Sequence, residues 1–151
     1  MIRLLVDADA CPVCKIVEKV GREKLLGVIF FCDTNHILTA DYAEVKILDA
    51  GPDSVDFALV NASRKGDIVV TQDYGVAAMA LAKGSYPIHH NGKWYTNKNI
   101  DQMLEQRHFA RKARNGKGKN HLKGPKKREA SADLRFEESL RRLIEEIKKK
   151  G

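Results

Sequence analysis

No run of apolar residues in this 151-residue chain approaches the ~20 needed to cross a bilayer. The first residues read as one short strand rather than a charged stretch leading into a long apolar core. No signal peptide is therefore expected, and a cytoplasmic location is. Cysteine is scarce: only Cys11, Cys14 and Cys32 are present. An odd number without a secretion signal argues against a disulfide framework. A single Cys-x-x-Cys also excludes a four-cysteine zinc site within the chain. There is no internal repeat. Acidic residues are missing altogether from Arg107 to Arg128, and across the chain 20 acids face 27 Lys plus Arg, a formal charge of +7. That excess suits an anionic partner such as nucleic acid, and no membrane partner is expected.

What is present suffices for one domain with a real core: 43% of residues are hydrophobic and 31% charged. The organising stretch is Leu4-Leu5-Val6-Asp7-Ala8-Asp9-Ala10-Cys11-Pro12. A short apolar run, read as a strand over 2–6, ends in two carboxylates and then in a proline suited to the first position of a helix. Val13, Ile16, Val17 and Val20 continue at helical spacing. Further strands are expected over 26–32, 45–48 and 68–71, with 37–43 ambiguous between a short helix and a loop. Asp53, with Asp56 three residues on, reads as the N-cap of a helix carrying Val55, Leu59 and Ala62, with Gly66 as its C′ residue. Tyr74 to Lys83 reads as an Ala-rich helix closed by Gly84. Asn91-Gly92 between 86–90 and 93–96 signals a β-hairpin. Asn99 reads as the cap of a helix carrying Ile100, Met103 and Leu104. From Ser131 a last helix bears the apolar stripe Phe136, Leu140, Leu143, Ile144 and Ile147. Strands alternating with helices predict a largely parallel sheet covered on both faces.

In such a sheet, ligands sit outside the carboxyl ends of the strands. Asp7 and Asp9, Asp53 and Asp56, and Asp73 all fall where a strand ends or a helix begins, so neighbouring strands would bring them to one edge. Carboxylates without histidine or thiol partners form a hard-oxygen site for Mg²⁺ or Mn²⁺. A pair of such ions can activate water and stabilise a leaving oxygen in phosphodiester cleavage. Capping is the competing reading for Asp53, Asp56, Asp73 and Asp9, whereas Asp7 at the end of a buried strand is costly unless paired. Asp33 and Asp49 read as turn residues, and Thr34, Asn35 and Thr71 as partners of turn backbone. Cys11 and Cys14 read as half-buried packing at a helix start. A redox dithiol is the competing reading, with the flanking acids opposing a thiolate. His36, His89 and His90 are weak zinc candidates, since adjacent residues of a strand point to opposite faces. The basic run, including Arg111, Lys112, Arg114, Lys117, Lys119, Lys123, Lys126, Lys127 and Arg128, suits a loop that grips phosphate backbone without reading sequence.

The segments Asp7-Ala8-Asp9-Ala10-Cys11-Pro12, Gly66-Asp67-Ile68-Val69-Val70-Thr71-Gln72-Asp73-Tyr74-Gly75 and Asn99-Ile100-Asp101 resemble the YaiI/YqxD family of bacterial proteins, and the likeness runs along nearly the whole chain. That family is similar to PIN-domain and NYN-type nucleases. The resemblance implies a PIN-like three-layer α/β/α fold over 1–105, with a late β-hairpin, a basic arm over 106–130 and a C-terminal amphipathic helix over 131–151. It implies metal-dependent RNA cleavage, with Asp7, Asp56 together with Asp53, and Asp73 as the acids. Asp9 lies in the family motif. Two rivals stand beside it. In a haloacid-dehalogenase-like phosphatase, Asp7 would be the nucleophile; Asp67, however, falls before its strand, at the wrong end of the sheet. In a non-catalytic RNA-binding protein, the acids would be caps.

Overall fold

The structure is a computed structural model and describes residues 1–9, 11–35, 38–49, 53–105 and 128–150. Five parallel strands form the centre: β1 (Arg3–Asp7), β2 (Gly27–Asp33), β3 (Glu44–Leu48), β4 (Ile68–Val70) and β5 (Tyr86–Ile88). Their order is β3-β2-β1-β4-β5. The helices are α1 (Cys14–Glu23), α2 (Ser54–Ala62), α3 (Tyr74–Ala82) and α4 (Ala130–Lys150), and residues 100–105 are also helical. The chain builds outward from β1 in one direction through β2 and β3. It then returns to add β4 and β5 on the other side. Such a reversal splays the loops apart at the carboxyl ends of the two central strands and opens a crevice there.

The central strands β1, β2 and β4 carry unbroken apolar runs because both of their faces are covered, whereas β3 at the edge is largely exposed. Leu4 and Val6 of β1, Val28 and Phe30 of β2, and Ile68 and Val70 of β4 pack with Val17 and Val20 of α1 and Phe136, Leu140 and Ile144 of α4. Leu5, Ile29, Phe31 and Val69 pack on the other side with Val55 and Leu59 of α2 and Val76 and Ala80 of α3. Three layers result. Helix α1 approaches the sheet so closely that a Cβ on Gly21 would lie 2.3 Å from a methyl group of Val28. At the far end of the sheet, Arg3 pairs with the buried Asp67 at 2.5 Å, and Asp67 also accepts from the Arg64 backbone N–H. The C-terminal helix belongs to the same core. Its stripe is buried, and Lys19–Glu137, Lys24–Glu145 and Arg141–Glu23 pairs rim its seam with α1.

Several local expectations are corrected. Pro12 does not begin α1. Cys11 N–H turns back to the Ala8 carbonyl, so 12–13 form a turn and the helix starts two residues later, at Cys14. α2 ends at an extended Ser63 rather than through Gly66, whose positive φ of 91° serves the turn into β4. The hairpin shrinks to a single antiparallel bridge, Ile88 to Trp94. The turn itself forms, with Gly92 at φ 92°. The returning segment is drawn toward α4, because the Trp94 indole donates to Ser139 and the Ser139 hydroxyl to the Gly92 carbonyl. Thr96, not Asn99, starts the helix that follows: its hydroxyl accepts from Asn99 N–H while the Asn99 side chain accepts from Thr96 N–H. The segment 38–43 holds no helix. The basic run over 107–127 lies outside the described residues.

If α4 is part of the core, Phe136→Ala is expected to cost about 3–5 kcal/mol in urea unfolding, the range for an emptied aromatic site. Leu134→Ala on the exposed side of α4 is expected to stay within ~0.5 kcal/mol. Equal, small effects would contradict the packing.

Candidate acidic site

β1 delivers Asp7 to the crevice. Side chains alternate along a strand, so Asp7 shares its face with Leu5, the side covered by α2 and α3. Asp33 at the end of β2 shares the face of Phe31 and Ile29 for the same reason. The ladder continues just past Asp7, where Ala8 N–H donates to the Phe31 carbonyl at 2.9 Å. Asp9 then reaches sideways, its carboxylate accepting from Asp33 N–H at 3.3 Å. Asp53 and Asp56 come from the start of α2. Asp7, Asp9, Asp33, Asp53 and Asp56 together line one open pocket of about 260 Å³, with Ser54 and Val55 at its wall. The amino terminus of α2 contributes the positive end of its dipole, which partly offsets five crowded carboxylates.

The five acids named from sequence meet only in part. Four of them line the pocket. The fifth, Asp73, caps α3 by accepting from Val76 N–H at 3.1 Å and does not line it, although its charge is still felt at Asp7. Asp33, read as a turn residue, takes its place. It does make the turn, accepting from Asn35 N–H at 2.8 Å, but it faces the pocket as well. Asp53 stands at the N-cap position without a side-chain cap bond, held at φ 65°. The N-cap position of α1 falls to Val13 rather than Asp9. Thr71, also read as a turn partner, is fully buried. Its hydroxyl donates to Asp7 at 3.3 Å and accepts from Asp73 N–H at 3.0 Å. A buried threonine immediately after the last apolar residue of β4 was the available sign.

Burial and then the neighbouring charge of Asp56 push the Asp7 carboxyl up to about 7, with Asp9 and Asp73 adding to the rise and the Thr71 hydroxyl opposing it. Close to neutral pH, Asp7 therefore exchanges its proton readily unless a cation replaces it. Among the described residues no three His, Cys, Asp or Glu side chains are spaced as they stand to enclose a metal ion. The donor set nevertheless fits Mg²⁺ or Mn²⁺, because Mg²⁺ takes one or two carboxylates and completes its octahedron with water and substrate oxygens rather than with a protein cage.

Of the predicted phosphate contacts, Arg128 is the one within the described residues. Its guanidinium is engaged by Asp133 at 2.7 Å and by the His90 carbonyl at 2.9 Å, so it ties the start of α4 to the turn after β5. His89 and His90 also differ from expectation. They follow the strand rather than lie in it, and their ring centroids are 5.9 Å apart. Pairing with the Cys14 side chain holds the Cys11 thiol below its ordinary range, and pairing with Cys11 together with burial holds Cys14 above it. The Asp7 charge adds to the rise at Cys14. Asp67, paired with Arg3 at the amino end of β1, lies across the sheet from Asp7 and cannot serve a phosphatase site there.

Fold and pocket together define an open, doubly wound α/β protein whose acids gather beside the reversal of strand order. The chain belongs to the YaiI/YqxD family: the model described as "Uncharacterized BCR, YaiI/YqxD family" matches residues 5–146. A UPF0178 protein of Clostridium acetobutylicum is 59% identical over 143 residues, covering 95% of this chain and 97% of that one. A UPF0178 protein of Lachnoclostridium phytofermentans is 49% identical over 147 residues, covering 97% and 99%. A crystal structure of a Rae1 (YacP) mutant from Bacillus subtilis superposes over 100% of both chains with a TM-score of 0.46 and 15% identity. No helix among the described residues is long and apolar enough to cross a membrane.

The raised Asp7 pKa sets the sign of a stability effect. Folded Asp7 holds its proton up to about 7 against 3.8 for the free group, so its contribution to stability is lost as pH rises through 7. In chelator-treated protein, Asp7→Asn is expected to gain on the parent between pH 4 and 8, reaching about 2–4 kcal/mol at pH 8 by urea unfolding. A variant no more stable than the parent at pH 8 would contradict the electrostatic reading.

Proposed function

We propose that this protein is a PIN-like, Mg²⁺- or Mn²⁺-dependent nuclease acting on RNA. The observation that carries the reading is the gathering of Asp7, Asp9, Asp33, Asp53 and Asp56 around one open pocket at the strand ends. Acids crowded this way repel, and a bound cation both relieves the repulsion and becomes useful. When bound, the metal would supply a Lewis acid for a phosphoryl oxygen and a more acidic water. Asp7 and Asp56 are the residues best placed to hold it, since theirs is the strongest charge coupling recorded at Asp7. Asp9 and Asp33 bridge the ends of β1 and β2 and keep the rim in register. Thr71 fixes one Asp7 oxygen at the edge of the pocket. Asp73 contributes through its charge and by starting α3. A two-metal arrangement would draw further on Asp53 and Asp33. The acid-free run over 107–127 supplies the phosphate grip that a nuclease needs. With Arg128 engaged inside the fold, Arg111, Lys112, Arg114, Lys117, Lys119, Lys123, Lys126 and Lys127 remain as its cations.

Purified protein is expected to cleave single-stranded RNA only with Mg²⁺ or Mn²⁺, and Asp7→Asn and Asp56→Asn to lose about 100-fold or more in rate while still binding RNA. Parent-like cleavage by both variants would refute the site. Neutralising Lys123, Lys126 and Lys127 together is expected to flatten the log–log salt dependence of RNA binding by about 2. An unchanged slope would remove the basic run from the interface.

A further inference from the structure

Residues 38–43 form no helix or strand, yet they are tied down at several points. The Glu18 carboxylate of α1 accepts from Tyr42 N–H at 2.9 Å and from Ala43 N–H at 2.8 Å. The Tyr42 hydroxyl donates to the Leu26 carbonyl at 2.6 Å, and the Arg22 guanidinium lies 5.7 Å from the centre of the Tyr42 ring. Connecting segments held on a rigid scaffold are where binding residues gather. Between this segment and the start of α1 lies a pocket of about 680 Å³, within the ~300–1,000 Å³ of sites that take small organic groups. Pro12, Phe30, Leu38 and Ala40 give it an apolar wall, and Thr39, Asp41 and Lys15 give it a hydroxyl, a carboxylate and an ammonium group. Glu18 lines it too, but its carboxylate is committed to the loop backbone. The pocket meets the acidic one across the end of β1. Ala8 lines it on the α1 side, and the residues before and after Ala8, Asp7 and Asp9, line the acidic pocket on the α2 side. A polymer crossing the strand end from one face to the other has one unit to place in each.

We propose that this pocket is the subsite for the nucleoside next to the phosphate at the acids, and that Asp41 reads its ribose by accepting a hydrogen bond from the 2′-hydroxyl. The inference deepens the nuclease reading and rests on it for the phosphate. The division of the wall matches the two halves of a nucleoside. Pro12, Phe30, Leu38 and Ala40 offer apolar surface to the face of a base, which every base has, so no sequence preference follows. Thr39 and Asp41 bring a hydroxyl and an acceptor-only carboxylate to the sugar. A carboxylate repels phosphate, so its place beside a nucleic acid calls for a donor on the ligand. The 2′-hydroxyl is such a donor, and DNA lacks it. The acids across the strand end deal with phosphate, which RNA and DNA share, so a choice of RNA has to come from a group elsewhere. Lys15, in the first turn of α1, supplies a cation at the same wall for the flanking phosphate.

The test follows the fluorescence anisotropy of labelled single-stranded pentaadenylate, as RNA and as DNA, on the full-length protein with chelator present, so that metal-dependent cleavage does not intervene. The parent is expected to bind the RNA about tenfold or more tighter than the DNA, the size of a hydrogen bond to a charged group. In Asp41→Ala that ratio is expected to fall close to one. Removing Asp41 also lowers the repulsion felt by both strands, so the ratio and not either affinity is the readout. Glu44→Ala, which removes a nearby exposed charge outside the pocket, is expected to keep the parent's ratio. Equal binding of RNA and DNA by the parent, or an RNA preference that survives Asp41→Ala, would overturn the subsite. Cleavage is measured separately with Mn²⁺. An Asp41-dependent preference in a protein that cleaves no RNA would support the ribose contact and overturn the nuclease reading instead.

Discussion

Mutual repulsion among carboxylates held at the end of a buried parallel sheet is the constraint around which this molecule is built. Each acid is fixed by something it cannot easily leave. Asp7 is the last residue of a strand whose other positions are packed on both faces, and Thr71 holds one of its oxygens. Asp9 is tied to the backbone of Asp33. Asp56 rides the first turn of α2, which Val55 and Leu59 anchor to the sheet. Burial first, and then charges that the framework does not let relax apart, make Asp7 take up a proton near neutrality instead. Electrostatic cost stored in this way at a strand end is a common mark of sites that await a charged partner.

The same loop serves two faces of the sheet. Odd-numbered Asp7 belongs to the α2 side, whereas beyond it the chain turns across the strand end to place Cys11 and Cys14 against α1 and the residues before β3. α4 closes that second side: its stripe completes the core over α1, and Arg128 just before it and Ser139 within it hold the 89–92 segment. The last helix is therefore part of what holds the turn after β5, not an appendage to the α/β unit.

Much of this was legible in the residues. Val-, Ile- and Leu-rich runs buried on both faces are hard to read as anything but central parallel strands, and the acids following them marked the correct edge. The failures have physical causes. Asp33 follows an apolar run as turn residues often do, and only the placement of β2, which it ends, beside β1 reveals that it faces the pocket. Asp73 carried both a capping signal and a strand-end signal, and capping claimed its oxygen. Pro12 favours a first helical position, but the backbone bond from Cys11 to Ala8 uses those residues for a turn. The 93–96 run had strand composition, yet Trp94 and Asn99 bind it to its surroundings after a single bridge. Tertiary contacts of this kind leave no trace in local pattern.

The central claim is that these acids hold a divalent cation and that Asp7 is indispensable to it. Calorimetric titration of Mn²⁺ into chelator-treated protein at pH 7.5, for the parent and for Asp7→Asn, tests it most directly. Binding by the parent with release of protons as Asp7 ionises, and loss of both in the variant, is the expected result. Equal affinity in the two proteins, or no binding by the parent, would contradict it.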